Sequence, residues 1–171
     1  FENAIKHFGK AIELDPDYAD PYVGFADTYG LMPIYNFADT SEAMPKAKSY
    51  AEEAIKLNPN LAEAYTSLAW VMHQYEYNWK EAEANYRRAI ELNPNYATGH
   101  QWFAIFLSNI GRNHEAIKLI VKASELDPQS MIIKSTAVEI HLPAEQYVQA
   151  LKYCDKTFEI DPYFSYALWF K

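Results

Sequence analysis

The sequence predicts an all-α chain of stacked antiparallel helix pairs, about ten helices in a row, and three observations predict it. The phrase "AIELDPDYA" at 11–19 returns as "AIKLNPNLA" from Ala54, "AIELNPNYA" from Ala89, "ASELDPQSM" from Ala123 and "TFEIDPYFS" from Thr157. Its prolines, Pro16, Pro59, Pro94, Pro128 and Pro162, stand 43, 35, 34 and 34 residues apart, and a fixed period near this length marks a helical repeat array. Between the prolines, apolar and small residues recur at three- and four-residue steps, as in Ala62, Tyr65, Leu68, Ala69 and Met72, then Ala82, Tyr86, Ala89 and Ile90. Such stripes are the buried faces of amphipathic helices. Neither stripe is buried by one helix pair alone, so each pair needs its neighbours.

The elements follow in order from this punctuation. Proline disfavours helical geometry at the residue before it and lacks the N–H of a continuing helix. Helices are therefore expected over 2–14, 19–31, 41–57, 61–75, 79–92, 96–110, 113–126, 130–141, 145–159 and 163–170. The corresponding units are the second helix of a truncated repeat at 1–18, repeats at 19–61, 62–96 and 97–130, a degenerate repeat at 131–164, and the start of a further helix at 165–171.

Two spacings are irregular. The first step exceeds 34 by nine residues, and the excess lies near 31–42 in "LMPIYNFADTSE", where Asp39 and Glu42 have the spacing of a capping box. This insertion is read either as an extension of both flanking helices around an ordered turn or as a flap carrying Ile34, Tyr35 and Phe37. The one-residue excess in "YEYNW", Tyr75 to Trp79, is read as a turn into which the aromatic rings pack, in preference to a short strand.

Composition narrows the function. Half of the 171 residues are hydrophobic and only 5 are glycine, which suffices for a core without metals or disulfides. The formal charge of −8 argues against nucleic acid and against an anionic membrane surface as partners of this segment. A single cysteine, Cys154, excludes an internal disulfide and a CxxC pair. No apolar run has the roughly 18 residues of a membrane span, and Phe1-Glu2-Asn3 does not read as a signal peptide; the location is expected to be cytoplasmic, although the targeting information of the parent chain is expected to lie outside this sequence. The start inside a repeat suggests an excerpt of a longer chain. His7, His73, His100, His114 and His141 are scattered without metal-ligand spacing. There is no phosphate loop or nucleophile elbow. The expectation is a non-enzyme without metal or cofactor.

At this point the residues resemble the tetratricopeptide repeat family, whose pattern sets an aromatic, Leu, a small residue and Tyr on the first helix and Ala, an aromatic, Ala and Pro on the second. The matching sets are Tyr22, Phe25, Ala26, Tyr29, Ala47, Ala51, Ala54 and Pro59, then Tyr65, Leu68, Ala69, Met72, Ala82, Tyr86, Ala89 and Pro94. His100, Phe103, Ala104 and Leu107 open the third set, and Lys134, Ala137, Val138 and His141 a degraded fourth. The stretch from Ala62 to Ala104 also resembles repeat regions of bacterial multidomain signalling proteins.

The resemblance implies a right-handed superhelix whose first helices line a concave groove for a partner peptide or helix. Carried over by position, that groove presents Asp27, Thr66, Trp70, His73, Gln74, Gln101, Trp102, Ile105, Asn109 and Glu139, with the two tryptophans as anchors. The places of the chaperone-tail clamp of some members hold Val23, Asp27, Ser67, Thr98 and Trp102, none cationic, so a chaperone tail is not the expected ligand. The alternative is self-assembly: Phe164, Leu168, Trp169 and Phe170 form a terminal face suited to end-to-end association of copies.

Overall fold

The computed structural model describes residues 1–164, which form helices α1 (Glu2–Leu14), α2 (Asp20–Leu31), α3 (Thr40–Leu57), α4 (Ala62–Gln74), α5 (Trp79–Leu92), α6 (Ala97–Asn109), α7 (Asn113–Leu126), α8 (Met131–His141) and α9 (Tyr147–Ile160). These agree with the expected helices to within a residue or two at each end. The tenth expected helix lies outside the described residues. The helices fall into two compact units, one of Phe1–Pro94 with α1–α5 and one from Asn95 onward with α6–α9.

Each unit is a run of helix pairs. In the first, α2 packs on α1, α3 and α4, and α4 packs on α3 and α5. In the second, α6 packs on α7 and α8, and α8 packs on α7 and α9. Alanines make the close approaches: Ala47, Ala51 and Ala54 of α3 have no exposed surface, nor have Ala64, Ala69, Ala82, Ala104, Ala116 and Ala123. Large side chains such as Tyr86, Phe106, Leu107, Ile120 and Ile140 fill what remains.

The proline phrase ends each second helix in the same way. Asp15, Asn58, Asn93, Asp127 and Asp161 all leave helical geometry, with φ between −131° and −145°, as a residue before proline must. Each still donates its N–H to the carbonyl four residues back, as Asn58 does to Ala54. The side chains of Asp15, Asn58, Asp127 and Asp161 then accept from the backbone N–H two residues on, at 3.2, 3.1, 3.3 and 2.8 Å. These are Asx turns, so the Asp and Asn of the phrase are turn chemistry.

The insertion resolves into an ordered turn and one lengthened helix. At 18 residues α3 carries the extension, whereas α2, with 12, is not lengthened. Between them Phe37 donates its N–H to Met32 and Asn36 takes φ +58°. Pro45 stands inside α3, in its second turn. Ile34, Tyr35 and Phe37 are exposed, and the ring of Phe1 meets Phe37 edge-on at 5.0 Å.

In "YEYNW" only Tyr75 packs, against Met44, Ala47 and Val71. Tyr77 and Trp79 are exposed, contrary to the expected packing of these rings into the turn. The reason is local: Tyr77 occupies the left-handed turn position at φ +53°, and Trp79 is the first residue of α5.

Candidate functional site

The candidate residues lie on the first helix of each pair, α2 and α4 in one unit and α6 and α8 in the other. Their periodicity explains why: on a helix that buries one stripe against its own partner and another against the next pair, a third stripe is left. The structure shows how far each predicted side chain is committed to packing.

In the first unit, Trp70 is 5% exposed and its indole N–H donates to the carbonyl of Gly30 at 3.2 Å. A Cβ at Gly30 would stand 3.3 Å from the indole ring, so the missing side chain admits the tryptophan. His73 meets the Trp70 ring edge-on at 5.9 Å, and burial pushes its imidazole down to about 4. Thr66 is fully buried and returns its hydroxyl to the carbonyl of Ala62 at 3.3 Å. Gln74, one residue on from His73, is partly exposed.

Asp27 of α2 is half-buried and accepts from the Ser67 hydroxyl of α4 at 2.5 Å. Burial raises its carboxyl to about 6, the Ser67 hydrogen bond lowers it, and the Glu63 carboxylate raises it again. Desolvation therefore outweighs the one good donor.

In the second unit, Gln101 of α6 donates its amide to Thr136 of α8 at 2.8 Å, both side chains being buried. Trp102 is 8% exposed. Ile105 and Glu139 are half-buried and Asn109 is exposed. Thr136 is not among the sequence candidates, although its separation from Gln101, close to one repeat, is the signal that pairs equivalent first helices. Of the terminal face, Phe164 is partly exposed, while Leu168, Trp169 and Phe170 lie outside the described residues.

Thus Trp70, Thr66, His73, Gln101 and Trp102 are committed to packing, Asp27 is held by Ser67 with its carboxyl desolvated, and Gln74, Ile105, Asn109 and Glu139 are the part of the predicted set that solvent reaches. Among the described residues no three His, Cys, Asp or Glu side chains are grouped to hold a metal ion. No described helix is long and apolar enough to cross a membrane.

Comparison with known proteins agrees with this architecture. Family models described as tetratricopeptide repeat match residues 85–118 and 1–18. The chain is 25% identical to human protein O-mannosyl-transferase TMTC3 over 98% of its own length, but it spans only 19% of that relative. Among solved structures, TTC0263, a thermophilic tetratricopeptide repeat protein of Thermus thermophilus, superposes with a TM-score of 0.78 at 17% identity, covering 96% of this chain and 84% of that one. A monomeric mutant of IFIT1 gives 0.79 at 20% identity, covering 97% of this chain and 40% of that one. With the repeated Asx-proline turns and the alanine-lined helix pairs, the two family-model matches support a tetratricopeptide repeat family, and the solved structures agree in fold.

Proposed function

We propose that the chain is a non-enzymatic protein-interaction module, and that the face of its first helices holds a peptide or helix of a partner protein. One observation carries the reading. On these helices the flanking stripes are consumed in packing, yet Gln74, Ile105, Asn109 and Glu139, a mixture of amide, carboxylate and alkyl groups, stay accessible. Trp70 in the first unit and Trp102 in the second are nearly buried on the first helices α4 and α6. Mixed polar and apolar groups on packed helices are what an extended or helical segment needs for affinity and register. The repeat boundaries proposed with this reading are those at 18/19, 61/62, 96/97, 130/131 and 164/165. The wider setting, part of a larger bacterial signalling or regulatory protein in the cytoplasm, rests on sequence resemblance.

The test replaces accessible residues and leaves the buried ones alone. Gln74→Ala, Asn109→Ala and Glu139→Ala, combined in one chain of unchanged helicity, are expected to release a protein captured from lysate by the parent chain. Capture of the same protein by both chains sinks the reading.

A second reading, self-assembly, is favoured by a separate observation. On α9, Tyr147, Val148 and Leu151 are 59%, 68% and 60% exposed, beside an apolar cleft of about 190 Å³ that Val138, Leu142 and Cys154 help to line. If this face joins copies, light scattering gives a dimer or larger species that Leu151→Glu converts to monomer. A parent chain that is monomeric at high concentration rules it out.

A further inference from the structure

In the first unit the carbonyls of Pro16 and Pro59 each accept from a phenol, Tyr22 and Tyr65, at 3.0 Å. A phenol has one O–H to give, so each contact uses up its donor and buries no charge. In the second unit Lys134 of α8 takes that place and donates its ammonium to the Pro128 carbonyl. The turn contact needs one donor, whereas an ammonium brings three and a positive charge, and Lys134 is only 7% exposed.

Among the described residues Lys134 forms no ion pair. The carboxylate in the same turn, Asp127, is taken up by the backbone N–H groups of Gln129 and Ser130 at 3.3 and 3.1 Å. A charge so enclosed is costly without a counter-ion, and elsewhere in the chain an uncharged ring makes the same turn contact.

Lys134 and Pro128 both line an open cleft of about 400 Å³ between the second helices α7 and α9. Ser124 of α7 lines it too, and its hydroxyl is buried without a hydrogen-bond partner. Buried hydroxyls are normally paired, so this one is available to a ligand. On the α9 wall the Lys156 ammonium stands 5.6 Å over the Tyr153 ring and likewise forms no ion pair among the described residues. Val121, Pro128 and Ile160 add apolar surface. Two carboxylates share the lining: Glu125, which stands 3.8 Å from Lys122, and Glu159.

We propose that this cleft binds a carboxylate carried on a short alkyl group. The carboxylate oxygens accept from the Lys134 ammonium and the Ser124 hydroxyl, Lys156 adds attraction from the α9 wall, and the alkyl group lies against Val121, Pro128 and Ile160. Charge-assisted hydrogen bonds to a buried ammonium supply the affinity, and burial of the alkyl group adds to it. Glu125 and Glu159 select a single negative charge, because a phosphate dianion would meet both of them. The volume holds one residue-sized group. A free branched-chain acid and the last residue of a peptide present this same chemistry. The cleft lies on second helices, so the proposal stands whether or not the first-helix face binds a partner.

The test is titration of the full chain with isocaproate, followed by amide chemical shifts. Saturable shifts at Ser124, Gln129 and Lys134 are expected, with about tenfold weaker binding of isocaproamide, its neutral counterpart. The peptide acetyl-alanyl-leucine with a free carboxylate separates the two sources: tighter binding than that of isocaproate identifies a chain terminus, weaker binding a free acid. Lys134→Tyr keeps a donor for the Pro128 carbonyl, as in the first unit, and is expected to weaken binding about tenfold at unchanged helicity. Ser124→Ala, at a helical position that suits alanine, is expected to weaken it about fivefold. The proposal is overturned if neither acid nor peptide gives saturable shifts at millimolar concentration. It is overturned equally if isocaproamide or inorganic phosphate binds as tightly as isocaproate, or if Lys134→Tyr and Ser124→Ala both leave binding unchanged.

Discussion

The Lys134 ammonium donates to the carbonyl oxygen of Pro128, the place that the phenols of Tyr65 and Tyr22 take against Pro59 and Pro16, each at 3.0 Å. In all three cases a side chain early in a first helix reaches back over the Asx-proline turn before it. The carbonyl follows a helix that has ended and has no intrahelical donor, and in each case a side chain of the next helix supplies one in place of water. Tyr65→Phe keeps the ring and removes only this bond. It is expected to cost about 1 kcal/mol, read as a lower urea midpoint with an unchanged m-value.

A second repeated device sits at the turn inside each pair. Asn36, Tyr77, Gly111 and Glu145 have φ of 58°, 53°, 80° and 59°, the left-handed region that suits glycine. Tyr77 and Glu145 therefore carry strain that Gly111 does not. Tyr77→Gly and Glu145→Gly are each expected to stabilise by about 1 kcal/mol, and Gly111→Ala to destabilise by a similar amount although open space surrounds its Cα. Thermal unfolding of the three variants checks the opposite signs.

These devices show what a sequence of this kind discloses. The helices are legible because proline and the Asx residue before it act locally, and the alanine stripe repeats with them. The Tyr77 and Trp79 rings depart from expectation because their exposure depends on one left-handed residue, which nothing in "YEYNW" announces. Of the candidate face, position along the first helix is legible, since it follows from period alone. Which side chains remain accessible is not: Trp70 is withdrawn by the bare backbone of Gly30, and Gln101 by Thr136, both on neighbouring first helices. Lys134 looks in the sequence like decay of the pattern, yet it keeps the turn contact and loses only the ring.

Gly24 offers a test of close packing in the first unit. A Cβ there would lie 2.4 to 2.6 Å from atoms of the Phe8 ring, so α1 lays its aromatic directly on the α2 backbone. Gly24→Ala gains about 1 kcal/mol of helix propensity but must displace the ring. A net loss of about 1–2 kcal/mol is expected. In a Phe8→Ala background the same change should turn stabilising, and a double-mutant cycle by urea unfolding measures that coupling.

Asp27 and His73 titrate against each other in the first unit. Burial raises Asp27 from 3.8 to about 6, so the folded state holds its proton more tightly than the unfolded chain, and that stabilisation is lost as pH rises from about 4 through 6. Burial lowers His73 from 6.5 to about 4, so the fold favours the neutral ring, and that stabilisation is lost as pH falls from about 6.5 toward 4. The two windows overlap and their slopes have opposite sign, so their contributions to the parent chain largely offset between about pH 4 and 6.5. Asp27→Asn removes the acid and leaves an acceptor for the Ser67 hydroxyl. At about pH 7.5 the variant should be more stable than the parent, by on the order of 2 kcal/mol, because no charge is desolvated. Below about pH 6 it should lose stability steeply, since His73 is then unopposed. Urea midpoints of both chains from about pH 4.5 to 7.5 decide the matter: parallel curves would mean that Asp27 ionises as freely in the fold as in the unfolded chain.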